Sequence, residues 1–139
     1  FLAAIVNAYT FDEKRQNIVL KLHPKLAPIK ASVFPIIKKP EYEGIAKEIV
    51  SDLRKEFNVI YDQSGSVGRR YSRNDELGTP YCITVDEDSP KNKDITIRNR
   101  DTTKQIRIKA SDLKSVVRRY LEGEMLTELG VVIDPKEND

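Results

Sequence analysis

Residues 31–62 read ASVFPIIKKPEYEGIAKEIVSDLRKEFNVIYD, and their pattern decides the fold. Residues 31–37 form a short apolar run around Val33 and Phe34, which suits a buried strand, and Pro35 with the Lys38-Lys39-Pro40 turn ends it. Tyr42, Ile45, Ala46, Ile49, Val50, Leu53 and Phe57 then recur at the helical repeat, with Lys47, Glu48, Asp52, Arg54 and Lys55 facing away. Residues 58–62 return as a second strand. A strand-helix-strand crossover of this kind is almost always right-handed and places the chain in the α/β class.

Toward the C-terminus, residues 64–67 form a loop into a short helix ending near Gly78, and Pro80 opens a third strand over 81–85. Residues 86–93, with Ser89-Pro90 and Asn92, read as a hairpin turn into a strand over 94–100, and residues 105–109 form the last strand. Ser111 is positioned to cap a helix that buries Leu113, Val116, Val117, Tyr120 and Leu121, and Gly123 stops it. The expectation is an α/β fold with a mixed five-stranded sheet flanked by three helices.

Toward the N-terminus, Leu2, Ile5, Val6 and Tyr9 have helical spacing, while residues 12–28 mix charges with His23-Pro24 and Ala27-Pro28, as in a segment crossing between domains. Three parts are expected: residues 1–28 as the end of a preceding core helix and its link, 29–123 as one domain, and 124–139 as an acidic tail whose last residues, 135–139, read as disordered. The start at Phe1, without Met or a basic leader, reads as the interior of a longer gene product.

Composition narrows the chemistry. With 139 residues, 39% hydrophobic and 33% charged, the chain suits one soluble domain, and no apolar run approaches the ~20 residues of a membrane span. The single cysteine, Cys82, has no disulfide or zinc-ligand companion, and His23 is the only histidine, so no nucleophile-base arrangement assembles. Adjacent carboxylates at Asp75-Glu76 and Asp86-Glu87-Asp88 read as solvated loop and cap residues rather than acid-base pairs. No catalysis and no metal site are expected in this segment.

The net charge of +2 is unevenly placed. Residues 91–109 hold seven basic and two acidic side chains, and residues 122–139 hold six acidic and one basic. Alternation puts Ile95 and Ile97 on one face, with Thr96, Arg98 and Arg100 on the other; Gln105, Arg107 and Lys109 repeat that polar face on the next strand. Such a face suits RNA phosphates, and it equally suits a solvated sheet that resists edge pairing. The Gly65-Ser66-Val67-Gly68-Arg69-Arg70 loop lacks the lysine and spacing of a nucleotide triphosphate loop, leaving a tight strand-to-helix turn or a weak anion site.

Three stretches carry a family resemblance: Gly65-Ser66-Val67-Gly68-Arg69-Arg70-Tyr71, then Asp75-Glu76-Leu77-Gly78-Thr79-Pro80, then Thr96-Ile97-Arg98-Asn99-Arg100-Asp101-Thr102. They resemble the anticodon-binding domain of class IIa aminoacyl-tRNA synthetases. The link over residues 19–28, VLKLHPKLAP, narrows the resemblance to glycyl-tRNA synthetases of the archaeal and eukaryotic type, and residues 2–9 resemble the helix after the class II motif 3 arginine. The resemblance spans most of the chain and fades after Leu121. One departure stands out: Asn99 occupies the place between two arginines where an acidic residue is expected.

The resemblance implies ATP-dependent attachment of glycine to tRNA(Gly) by a homodimeric ligase, in the cytoplasm or as a mitochondrial isoform. ATP with magnesium belongs to a catalytic core upstream of Phe1, and the task left to this segment is anticodon recognition. Glycine anticodons carry cytosines at their second and third positions, so a carboxylate beside an arginine is the matching reader. Asp101 with Arg98 and Arg100 is the first such set, and Glu76 with Arg73 the second. Lys104, Arg107, Lys109, Arg69 and Arg70 are assigned to phosphates. The alternatives are a non-catalytic relative on the same fold, such as a DNA polymerase accessory subunit, and a module whose sheet face binds protein.

Overall fold

In the computed structural model, which describes residues 2–133, Leu2–Ala8 forms helix α1, and the segment expected to cross between domains folds into a hairpin. Its strands, β1 (Tyr9–Asp12) and β2 (Asn17–Leu20), pair antiparallel. Asp12 organises the turn by accepting main-chain N–H bonds from Lys14 and Arg15, each at 3.0 Å.

The crossover follows as its pattern dictates. Strand β3 (Ala31–Pro35) is buried throughout and leads into helix α2 (Pro40–Leu53). Pro40 begins that helix where a missing N–H costs nothing, and Glu41 and Glu43 complement the positive end of its dipole. Ala46, Ile49, Val50 and Leu53 are its buried stripe. Strand β4 (Val59–Tyr61) returns parallel to β3.

Helix α3 (Val67–Leu77) starts at Ser66, whose Oγ accepts the Arg69 N–H at 3.3 Å, and ends at Gly78 in the left-handed region at φ +80. A side chain at Gly78 would also crowd Leu20 and Leu22, at 3.0 to 3.2 Å. Gly65, at φ +75, makes the turn before the helix; Gly68 lies inside the first helical turn with open space beside it.

Strand β5 (Tyr81–Val85) runs parallel to β3, and a one-turn helix α4 (Ser89–Asn92) occupies what reads as a plain hairpin turn. Asp86 and Ser89 close the turn that leads into it, with the Asp86 N–H donating to Ser89 Oγ at 3.0 Å and that hydroxyl donating to Asp86 Oδ1 at 3.1 Å. Strands β6 (Asp94–Asn99) and β7 (Gln105–Lys109) form an antiparallel hairpin, followed by a 3-10 turn at 110–112 and helix α5 (Leu113–Leu121).

All five expected strands form one mixed sheet, to which a sixth, β8 (Val131–Ile133), adds at the β7 edge, giving the order β4-β3-β5-β6-β7-β8. The stretch from residue 124 is therefore no separate tail as far as Ile133. Leu126 is buried in the core, and Gly130 lets the chain pass where a Cβ would sit 2.6 Å from Ile108 Cγ2. Residues 134–139, including the end expected to be disordered, lie outside the described residues.

The two sheet faces are covered differently. Ala31, Val33, Ile83, Val85, Ile95, Ile97, Ile106 and Ile108 share the main apolar core with the buried stripes of α2 and α5. Ser32, Phe34, Cys82, Thr84, Thr96 and Arg98 alternate onto the opposite face, under α3. Tyr71 of α3 packs edge-on to Phe34 at 5.3 Å between ring centroids and lies under the Arg98 guanidinium at 4.6 Å. Burial pushes the Cys82 thiol up to about 12, so it stays a neutral packing group.

Candidate nucleic-acid interface

Two open hollows flank the turn between β6 and β7. One, of about 300 Å³, is lined by His23, Asn99, Thr102, Lys104, Tyr120 and Met125 among others. The second, of about 320 Å³, lies between this turn and the β1–β2 turn and is lined by Asp12, Lys14, Arg15, Asp101, Thr102 and Thr103. A larger hollow of about 740 Å³ beside α2 and α4 has a mixed lining of Glu48, Asp52 and Asp94 with Lys55 and Lys93.

Asn99 shapes the turn. Its Oδ1 accepts the N–H groups of Asp101 at 2.7 Å and Thr102 at 3.0 Å, and its Nδ2 donates to the Tyr120 hydroxyl at 2.6 Å. A carboxylate here could bond Tyr120 only by accepting its hydroxyl proton, whereas the amide donates and leaves that proton free. The Tyr120 hydroxyl accepts that bond and keeps its own proton to donate; burial, with the charge of Asp101, raises its pKa further. Thr103 has φ 63, an unusual state for a β-branched residue and one that concentrates at ligand-contacting sites.

The arginines expected on an open face are inside the protein. Arg98 is 8% exposed and holds Asp75 of α3 in a two-bond fork, Nη1 to Oδ1 at 3.0 Å and Nη2 to Oδ2 at 3.2 Å. Burial works against its charge, but the bonded Asp75 outweighs burial and holds the guanidinium above its ordinary range. Arg100, 1% exposed, donates to the carbonyls of Gly78 at 2.8 Å and Leu22 at 2.5 Å. Its Nε also donates to Asp101 Oδ1 at 2.9 Å, while the Asp101 side chain stays 39% exposed at the turn. Of the first expected set, only Asp101 reaches solvent.

Other expected contacts divide in the same way. Arg70 is buried, donating to the Pro35 and Gly65 carbonyls with its guanidinium over Phe34, and is closed to phosphate. Arg73 pairs with Asp62 rather than Glu76, which points to solvent from the same helix. Arg107 is held by Asp86 and by Asp94, the latter at 2.9 Å. Lys109 is exposed and donates to the Asn92 carbonyl at 2.9 Å. Arg69 and Lys104 are exposed, and Lys104 lines the first hollow.

The Arg107 pair has a consequence for pH. Burial pushes the Asp86 carboxyl up, but bonds from Arg107 and Ser89 and the Arg107 charge together hold it below its ordinary 3.8. With the folded value depressed, the unfolded chain binds more protons in this range, so the stability from the pair is complete above 3.8 and lost as pH falls below it. Urea unfolding from about pH 6 to about pH 2 should show wild type losing more stability than Asp86→Asn in that window. Parallel curves would contradict this.

Comparison with known proteins bears on this arrangement. Residues 30–120 match the family model described as the anticodon binding domain. The chain belongs to the anticodon-binding domain family. Among curated relatives, it is 50% identical over 128 residues to the glycine–tRNA ligase of Rhodopirellula baltica, covering 87% of this chain and 24% of that protein. It is 44% identical over 133 residues to the glycine–tRNA ligase of Borrelia hermsii, covering 94% and 29%. The chain thus spans about a quarter of the length of these relatives. A crystal structure of prolyl-tRNA synthetase from Cryptosporidium parvum superposes with a TM-score of 0.70 at 26% identity, covering 79% of this chain and 24% of that one.

Within this anticodon-binding domain, sequence reasoning missed the residues that act through partners distant in the chain. Asp75 reads from the sequence as a solvated carboxylate, yet it is 2% exposed between Arg98 and Arg15. Tyr120 was read only as part of a buried helical stripe. Arg15, in a segment that reads as a link, pairs locally with Asp12, but its bonds to Asp75 and Asp101 span 60 and 86 residues.

Proposed function

We propose that this chain is the anticodon-reading part of a glycine–tRNA ligase and that it receives the two anticodon cytosines of tRNA(Gly) on either side of the β6–β7 turn. The observation that carries this reading is the turn itself, set between two nucleobase-scale hollows, each with carboxylate, hydroxyl and cationic groups. Sequence-specific RNA readers hold splayed single-stranded bases in this way, stacked on apolar or aromatic side chains and bonded along their pairing edges. Each cytosine needs an acceptor for its amino group and donors for its ring nitrogen and carbonyl. Asp101 supplies the acceptor in one hollow, with Thr103 and Lys14 as donors; Glu124 supplies it in the other, with Thr102, Tyr120 and Lys104.

Asp101 remains able to read a base although Arg100 already engages it. A carboxylate offers about four lone-pair sites, and the arginine fork uses two. Lys104, and more remotely Arg69 and Lys109, serve the phosphates; Arg98, Arg100, Arg70, Arg73 and Arg107 frame the site from within.

Glycine activation with ATP and magnesium, and homodimer assembly in the cytoplasm, are proposed for the longer ligase. The Gly65–Gly68 loop has no lysine of a triphosphate loop, and among the described residues no group of three His, Cys, Asp or Glu is placed to hold a metal. Among the described residues no helix is long and apolar enough to cross a membrane.

Fluorescence anisotropy with an anticodon stem–loop RNA tests the phosphate role. Lys104→Ala should weaken binding of loops with and without the cytosines alike and reduce the slope of log affinity against log salt by about 1. An unchanged slope would remove Lys104 from the interface.

A further inference from the structure

Arg15 lies outside residues 30–120 that the family model matches, yet its side chain is only 13% exposed and is spent on the proposed reading turn. Nη1 donates to Asp75 Oδ2 at 3.2 Å and Nη2 to the main-chain carbonyl of Asp101 at 3.0 Å. Nε pairs with Asp12 Oδ2 at 3.2 Å, and the Arg15 N–H donates to the other oxygen of that carboxylate. One planar group therefore ties three elements: the β1–β2 turn, helix α3 and the β6–β7 turn. Arg100 makes a second tie, from the β6–β7 turn to the Leu22 carbonyl just after β2 and the Gly78 carbonyl at the end of α3.

We propose that Arg15 is a positioning residue for base recognition, setting the height of the β6–β7 turn against the β1–β2 hairpin. This rests on the anticodon reading above. The carbonyl it holds belongs to Asp101, the residue whose carboxylate faces the base, and the turn beyond includes the strained Thr103. A turn carrying strain keeps its shape only while its surroundings hold it, and a reader displaced by a fraction of an ångström loses its aligned bonds. Lysine cannot substitute, because a single ammonium has neither the plane nor the reach to bond three elements together.

The test uses the full chain as wild type, Arg15→Gln and Arg15→Lys, with two stem–loop RNAs: one with both anticodon cytosines, the other with uridines in their place. Binding is read by anisotropy and stability by thermal melting. Wild type should prefer the cytosine loop, and Arg15→Gln should bind that loop about tenfold more weakly while its affinity for the uridine loop is unchanged. Arg15→Lys keeps a charge beside Asp75, so it should melt near wild type while losing the same preference. Equal weakening on both RNAs, or a preference that survives in both variants, overturns the positioning role alone. A wild-type chain that binds the two loops alike overturns the anticodon reading and this role with it.

Discussion

Asp75→Ala is expected to destabilise the chain by about 3–5 kcal/mol in urea unfolding at neutral pH, the range found when one partner of a buried ion pair is removed. Asp75 is 2% exposed and accepts from Arg98 at 3.0 and 3.2 Å and from Arg15 at 3.2 Å. Its removal leaves the Arg98 guanidinium, at 8% exposure, with no carboxylate to balance it, and leaves Arg15 with Asp12 alone. Set against a typical domain stability of about 5–15 kcal/mol, this is a large share. Arg98→Met should cost less, because Asp75 keeps Arg15 and the apolar replacement fills the space over Tyr71. A loss below about 1 kcal/mol for Asp75→Ala would place the network among solvated surface pairs.

Asp101→Ala should spare the fold and damage recognition. Its side chain is 39% exposed, and Arg100 retains the Gly78 and Leu22 carbonyls when Asp101 is gone, so the stability change should stay within about 1 kcal/mol. Binding of the cytosine-bearing stem–loop should weaken by about 1–3 kcal/mol, the value of one good base-edge contact, with little change on a loop whose cytosines are replaced. Equal losses on both loops would assign Asp101 to the backbone or to the fold rather than to a base.

The core fold is readable because α2 repeats its apolar residues at the helical period, residues 31–37 form an apolar run, and β6 and β7 alternate. Gly65 and Gly78 were also legible, since each marks a turn that needs positive φ. The cover over the polar sheet face was not. Alternation assigned Thr96, Arg98 and Arg107 to one side, but it carries no information on what lies above them. Helix α3, with the sequence VGRRYSRNDEL, has too few apolar residues to announce that it packs on a sheet. It does so by matching polar to polar, through Asp75 and the Tyr71 ring. Charged residues default to the surface unless paired, and the partners that internalise Arg98 and Arg100 are 22 to 78 residues away.

Two further elements escaped for related reasons. Strand β8 is three residues long within an acidic stretch, and only its pairing with β7 makes it a strand. The β1–β2 hairpin was masked by its charged turn, whose Lys14 and Arg15 read as link residues and instead face the β6–β7 turn. The candidate site lies where these unread elements meet the readable ones, which is why Asp101 and Lys104 could be proposed from sequence, while the contacts of Arg15, Asn99 and Tyr120 needed coordinates.

Amide chemical-shift mapping on the wild-type chain, titrated with the cytosine-bearing anticodon stem–loop, addresses the reading turn most directly. If the β6–β7 turn reads the anticodon, the largest shifts fall on residues 12–15, 99–104 and 120–127, and they shrink when the cytosines are replaced by uridines. Shifts centred on the hollow beside α2 and α4, or a pattern indifferent to the anticodon, would contradict that assignment.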